Sequence, residues 1–221
     1  MTGWLALVGG HEWTEGCRPI DELLLKETGA KEVLIVPTAA AYEHPQRTVD
    51  AATDYFGALG AKVKGLDVLG RPAASDKANV KAMKNASLVY FGDGSPLHLR
   101  SVLKDTPLWD ALVAAWNDGT AVAGTGAGAM VLGDPMVDPR GGAFTLGLGL
   151  VPSMAAMTKT SDWHHETKRR TIQLATKGLP VVAVDDATAA LRSPKGEWSV
   201  VGVGSATVYC NGDEATLEQL P

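Results

Sequence analysis

TAVAGTGAGAMVLG, Thr120 to Gly133, is an apolar run that breaks into glycines and alanines and then resumes as a second apolar run. The first part, TAVAG, has the Val/Ala content and length of a buried strand, and AMVLG opens a helix. A strand that turns into a helix through residues this small places its tip at the carboxyl edge of a sheet. Two chemistries use such a turn. A phosphate-binding turn needs bare backbone at a helix N-terminus, and Gly124, Gly126 and Ala129 satisfy the dinucleotide spacing. That motif also requires an acidic residue about 20 positions further on, closing a second strand. The chain there reads FTLGLGL, Phe144 to Leu150, so the match is incomplete. A nucleophile elbow needs small neighbours so that one side chain stands exposed above the sheet. Here the tip is Gly126, which has no side chain.

Outward from this turn, short Val/Leu/Ile runs alternate with segments of helical spacing. WLALVGG, EVLIVPTAA, KVKGLDVLG and SLVYFGDG read as strands, and PIDELLLKETG, HPQRTVDAATDYFGALG, KANVKAMKNA and DALVAAWNDG as helices. Strands apolar on both faces are covered on both sides, and their alternation with helices makes them parallel. The fold class is therefore α/β: a three-layer, doubly wound, mostly parallel sheet flanked by helices. Beyond Met130 the pattern weakens. GDPMVDPRGG reads as an irregular loop, HETKRRTIQLAT as a helix and LPVVAVDD as a strand. From ATAALRS to EWSVVGVGSATVYC the reading is a short antiparallel C-terminal extension turning at SPKGE. No Pro/Gly/Ser linker divides residues 1–221, so one domain is expected. In such sheets ligands lie beyond the carboxyl ends of the strands.

The formal charge of -5 and pI near 5.5 disfavour a polyanionic partner, and no basic stripe with interleaved aromatics suggests nucleic acid. Cys17 and Cys210 lack metal-type spacing and fit a reducing compartment. The apolar opening MTGWLALVGG lacks a basic n-region and reads as a first strand rather than a signal peptide or a spanning helix. A cytoplasmic protein without a membrane partner is the expectation. The five histidines form no His-x-x-x-His pair, so no metal is expected, and no cofactor either.

The ordered set LVGG, VLIVPTAA, VYFGDGSPLHLRSVL, GTGAGAMVLG, SDWHHETKRR and VAVDDATAAL resembles the cyanophycinase and dipeptidase E family of serine peptidases, over nearly the whole chain. The resemblance implies a glutamine-amidotransferase-like fold and hydrolysis of small peptides, aspartyl peptides among them. In that family the elbow reads Gly-x-Ser-Ala-Gly-Ala, which puts Gly126 at the nucleophile position. Glycine keeps such a turn at little strain, but it has no lone pair with which to attack a carbonyl. By the same resemblance His164, in Asp162-Trp163-His164, is the general base, with His165 one register away as its rival. Asp186 stands where a glutamate orients the histidine. Gly94 in FGDGSP and the N–H of Ala127 correspond to the oxyanion hole. Asp93 stands where glycine is more usual, and a carboxylate there opposes an oxyanion.

Asp93, Ser95, Thr125, His165 and Arg170 are the candidate substrate contacts. Thr125, Ser95 and Cys17 are the substitutes available for a missing nucleophile, although a turn cap for Ser95 and a packing role for Cys17 fit their types equally well. The expectation is a serine-peptidase scaffold that is inactive or strongly impaired as it stands. The competing reading is a non-catalytic protein that holds a small peptide or amino-acid-like ligand in the same cleft. Homo-oligomerisation stays open.

Overall fold

The computed structural model describes residues 2–140 and 143–221. Its frame is a seven-stranded sheet. The strands are β1 (Leu5–Val8), β2 (Glu32–Val36), β3 (Lys62–Gly65), β4 (Leu88–Phe91) and β5 (Ala121–Thr125), joined late in the chain by β12 (Thr188–Arg192) and β13 (Trp198–Gly202). Their spatial order is β13-β12-β1-β5-β4-β2-β3. The first five strands run parallel, with Leu5 opposite Val122 and Val8 opposite Thr125. β12 then pairs antiparallel with β1, and β13 antiparallel with β12.

Period-two alternation sends the apolar residues of each strand to two cores. Ala6, Val8, Val33, Ile35, Leu88 and Tyr90 meet α1 (Arg18–Thr28) and α2 (Pro45–Ala58) through Ile20, Leu24 and Phe56. Leu5, Leu7, Leu34, Val36, Val89 and Phe91 face the other way. They pack on α3 (Lys77–Lys84), α4 (Pro96–Leu103), α5 (Pro107–Asn117) and α6 (Ala127–Leu132) through Met83, Leu99, Leu112 and Val131. Proline starts several of these helices, and Asp76, Ser95 and Thr106 cap α3, α4 and α5 with their side chains. The three-layer, mostly parallel architecture is the one that the alternation of runs predicts.

The region after α6 is richer than the sequence suggests. Two two-residue strands, β6 (Gly133–Asp134) and β7 (Met136–Val137), lie where an irregular loop is read, and two more, β8 (Phe144–Thr145) and β9 (Val151–Pro152), follow it. Next come β10 (Ala155–Met157), α7 (His165–Leu174) and β11 (Val181–Val184), then β14 (Ala206–Cys210) and β15 (Asp213–Ala215) after the β12–β13 hairpin. β10, β11, β14 and β15 make a second sheet of their own. The apolar run of β11 therefore belongs to this second sheet, and only Asp185–Ala187 separates it from β12 in the first.

The elbow depends on missing side chains. A Cβ on Gly124 would lie 2.5 Å from the backbone of Gly128, and one on Gly128 would lie 2.5 Å from the carbonyl oxygen of Phe91. β5, α6 and β4 thus touch backbone to backbone. Gly128→Ala should cost about 3 kcal/mol, at the upper end for an overpacked core, since backbone cannot yield as a side chain does. Gly57→Ala is the control: nothing lies within 4 Å of that position on α2, and the change should stabilise by about 0.5–1 kcal/mol. Urea unfolding of both variants measures the contrast, and equal effects would contradict the close approach.

Candidate functional site

At the carboxyl edge of the sheet, β5 ends at Thr125 and the chain turns through Gly126 with φ 51° and ψ -116°, a conformation unfavourable for any residue with a Cβ. The Gly126 N–H donates to Val8 O at 3.2 Å. Its carbonyl accepts from Met130 N at 3.0 Å and from the Thr158 hydroxyl at 3.2 Å. The tip is thereby locked to the end of β1 and to the start of α6.

The space above the tip is filled. Asp93, in the loop between β4 and α4, accepts the N–H of Ala127 on Oδ1 at 2.8 Å. Its Oδ2 is ion-paired with Lys159 Nζ. A Cβ placed on Gly126 would sit 2.1 Å from Asp93 Oδ1 and 2.4 Å from its Cγ. The carboxylate therefore occupies the volume into which a side chain at residue 126 would project, and it engages the donor expected for an oxyanion. Gly94 follows at φ 137°, where a Cβ would meet Ala39 O at 2.3 Å, so this loop also depends on bare backbone. The Ser95 N–H donates to Ala39 O, and the Ser95 hydroxyl caps α4 by accepting from His98 N–H.

Two groups that sequence reasoning passed over complete the site. Lys159 has a left-handed backbone (φ 53°), and its N–H donates to Gly9 O at 2.6 Å. Its aliphatic stem lies over Gly10, where an added Cβ would be 2.9 Å from Lys159 Cγ and 2.4 Å from Asp186 Oδ1. Glu12, on the loop after β1, accepts from the Thr125 hydroxyl at 3.1 Å. Burial pushes the Glu12 carboxyl above its ordinary range, and the negative charge of Asp93 adds to this. The hydrogen bond from Thr125 and the charge of Lys159 pull the other way without cancelling it. Glu12, in a loop, carries no periodic signal, and Lys159 follows β10, a strand that the sequence does not announce.

Of the residues expected at the catalytic centre, Gly126, Ala127, Asp93, Thr125 and Asp186 come together, linked through Gly10 and Lys159. Asp186 accepts the Ser161 hydroxyl on Oδ2. His164 precedes α7 as an exposed residue, and among the described residues no hydrogen bond joins it to Asp186. His165 and Arg170 are exposed on α7, and His165 lines a groove of about 310 Å³ with Lys168 and Tyr209. Cys17 is fully buried, its thiol directed at His11 O and pushed up to about 11 by burial and by Asp21. Asp185 is held below its ordinary range: burial opposes its charge, but the hydroxyls of Ser205 and Thr160 outweigh it.

Among the described residues no helix is long and apolar enough to cross a membrane, and no three His, Cys, Asp or Glu side chains are arranged to hold a metal.

A mostly parallel sheet carrying a strand–glycine–helix elbow at its carboxyl edge, with the next N–H aimed at the space above the tip, is a hydrolase scaffold. The chain belongs to peptidase family S51, whose model matches residues 5–192. Cyanophycinases from Geminocystis herdmanii and from a Nostoc species are 26% and 28% identical to it. The alignments cover 91% of this chain in both cases, and 78% and 72% of the relatives. The crystal structure of a peptidase from an acI-B1 Actinobacterium matches with a TM-score of 0.86 at 28% identity, over 97% of this chain and 93% of the other. A putative peptidase E protein from Listeria monocytogenes EGD-e shares the fold, with a TM-score of 0.67 at 16% identity over 92% of this chain and all of its own.

Glu12 reports on the site through its titration. A folded carboxyl that holds its proton more tightly than the unfolded chain contributes stability that declines as pH rises from 4.5 through the raised folded value. Thr125→Val should move the Glu12 midpoint further up by removing a donor, and Asp93→Asn should move it down by removing a like charge. Carboxyl ¹³C shifts followed against pH read both, and movement in the same direction would contradict the arrangement.

Proposed function

We propose that this chain is a family S51 hydrolase scaffold in which acyl transfer through the elbow has been lost, so that it cleaves small peptides, aspartyl peptides included, very weakly or not at all. The observation that carries this reading is the Asp93 carboxylate above Gly126. A serine-type mechanism needs an oxygen nucleophile at the tip and a free N–H to receive the oxyanion. Gly126 supplies no nucleophile, and the N–H of Ala127 is already engaged by a negative charge. An oxyanion formed there would meet the Asp93 carboxylate instead of a donor.

The exposed position of His164 and the engagement of Asp186 by Ser161 support the same conclusion, because a general base must reach the proton it removes. The second reading is a binding protein for small peptides or amino-acid-like molecules. The charged side chains gathered at the carboxyl edge of the sheet, Asp93, Lys159, Glu12 and Asp186, favour it, because ligands of such sheets lie beyond the carboxyl ends of the strands.

Gly126→Ser alone should restore no hydrolysis, because the new Cβ collides with Asp93. Gly126→Ser combined with Asp93→Gly should raise the turnover of an aspartyl dipeptide at least about tenfold above the unmodified protein, a small part of what a complete triad contributes. Continuous amine-release assays on the three proteins, with folding checked by circular dichroism, decide the matter. Appreciable turnover by the unmodified protein, surviving Asp93→Ala, would overturn the reading.

For the binding alternative, calorimetric titration with the same dipeptide should give measurable heat with the unmodified protein. An isotherm without heat across amino-acid-like ligands would count against it.

A further inference from the structure

β3 is the outer strand of the main sheet, hydrogen-bonded to β2 on one side only. The Lys62 N–H donates to Lys31 O and the Leu66 N–H to Ile35 O, both at 2.8 Å. The direction of the backbone groups alternates along a strand, so the N–H and C=O groups of Val63 and Gly65 point away from β2, where among the described residues no strand pairs with them. An open edge of this kind is a template for any extended chain that its side chains admit. Val63 packs toward the α2 side of the sheet, where a Cβ on Gly65 would lie 3.0 Å from Val49. Lys62 and Lys64 stand on the other face, in register with Glu32 and Leu34.

On that face a groove of about 630 Å³ runs between β3 and α3, lined by Lys31, Lys64 and Lys81 together with Leu34, Ala82 and Asn85. Lys77 and Lys84 continue the charge along α3, about one turn to either side of Lys81. Six of the chain's twelve lysines, all exposed, thus gather at one corner of a protein whose formal charge is -5. Among the described residues none of the six is ion-paired, and Glu32 is the one acid lining the groove. Like charges at i and i+4, as at Lys77 and Lys81, cost helix stability. Lysines on the strand itself would be enough to keep a second copy off the edge, because edge-to-edge pairing would set Lys62 and Lys64 against their equivalents. Lys31 and Lys81 exceed that need and point to an occupant of opposite sign. We propose that the β3 edge and its groove are a docking surface for an extended acidic segment of a partner protein, which adds to the sheet as a further strand. The backbone groups of Val63 and Gly65 pair with its main chain, and its alternate side chains, carboxylates, fall on the α3 face beside Lys64 and Lys81. The net charge of the chain gives no sign of this surface, since a sum over the sequence carries no position.

Fluorescence anisotropy of a labelled octapeptide of alternating threonine and glutamate, titrated with the intact protein at low salt, tests the surface. This peptide should bind saturably, and its counterpart of alternating threonine and lysine should not. Lys64→Glu combined with Lys81→Glu should weaken binding at least about tenfold, because two attractive contacts become repulsive. Val63→Pro removes an outward N–H and leaves the bonds to β2 in place, and it should weaken binding at least about fivefold. The threonine–glutamate peptide N-methylated at every residue keeps its charges but cannot pair, so it should lose binding to the unmodified protein and keeps the test intact if Val63→Pro fails to fold. Absence of saturable binding, equal binding of the two charge types, or indifference to the double charge reversal would each overturn the proposal. Binding that survives both Val63→Pro and N-methylation would be charge attraction without strand addition, and would overturn it as well.

Discussion

The carboxylate of Asp93, held between the N–H of Ala127 and the ammonium of Lys159, organises the carboxyl edge of this sheet. It is part of the sheet edge rather than an appendage of it. Asp93 reaches the elbow because Gly94 turns the loop at φ 137°, and it finds room there because Gly126 lacks a Cβ. Lys159 meets it because the chain leaving β10 packs over Gly9 and Gly10. Remove any one of these, and the charge at the tip loses a partner or its space.

The same contact explains why Gly126 and Asp93 belong together. Each would be awkward without the other. A glycine tip beneath an empty loop would leave a hole, and an aspartate above a serine would collide with it. Together they fill the volume, pair the charge and satisfy the N–H, so local packing is complete without a nucleophile. Burial raises the affinity of Glu12 for its proton, and the nearby charge of Asp93 adds to this.

How much of this is legible in the sequence depends on whether a residue's neighbours are near in the chain or set by topology. The five parallel strands and their helices are legible because each strand carries apolar side chains on both faces and each helix carries one apolar stripe. The elbow is legible because three glycines within five residues have few other uses. The second sheet is not, because β10 has only three residues and β14 pairs with β11 across the intervening hairpin. Lys159 and Glu12 are hidden for the same reason: a lysine after a short strand and a glutamate in a loop carry no periodic signal, and their partners are 66 and 113 positions away. His164 shows the converse. The motif around it is local and readable, but the direction of its side chain depends on how the chain enters α7.

Gly124 and Gly128 are held by contacts with backbone atoms of the strand and helix beside them, and those contacts serve folding whether or not the cleft does chemistry. A lineage that gave up catalysis would gain no freedom at either position. The outline of the turn is therefore fixed by packing, and its glycines speak to the fold before they speak to turnover.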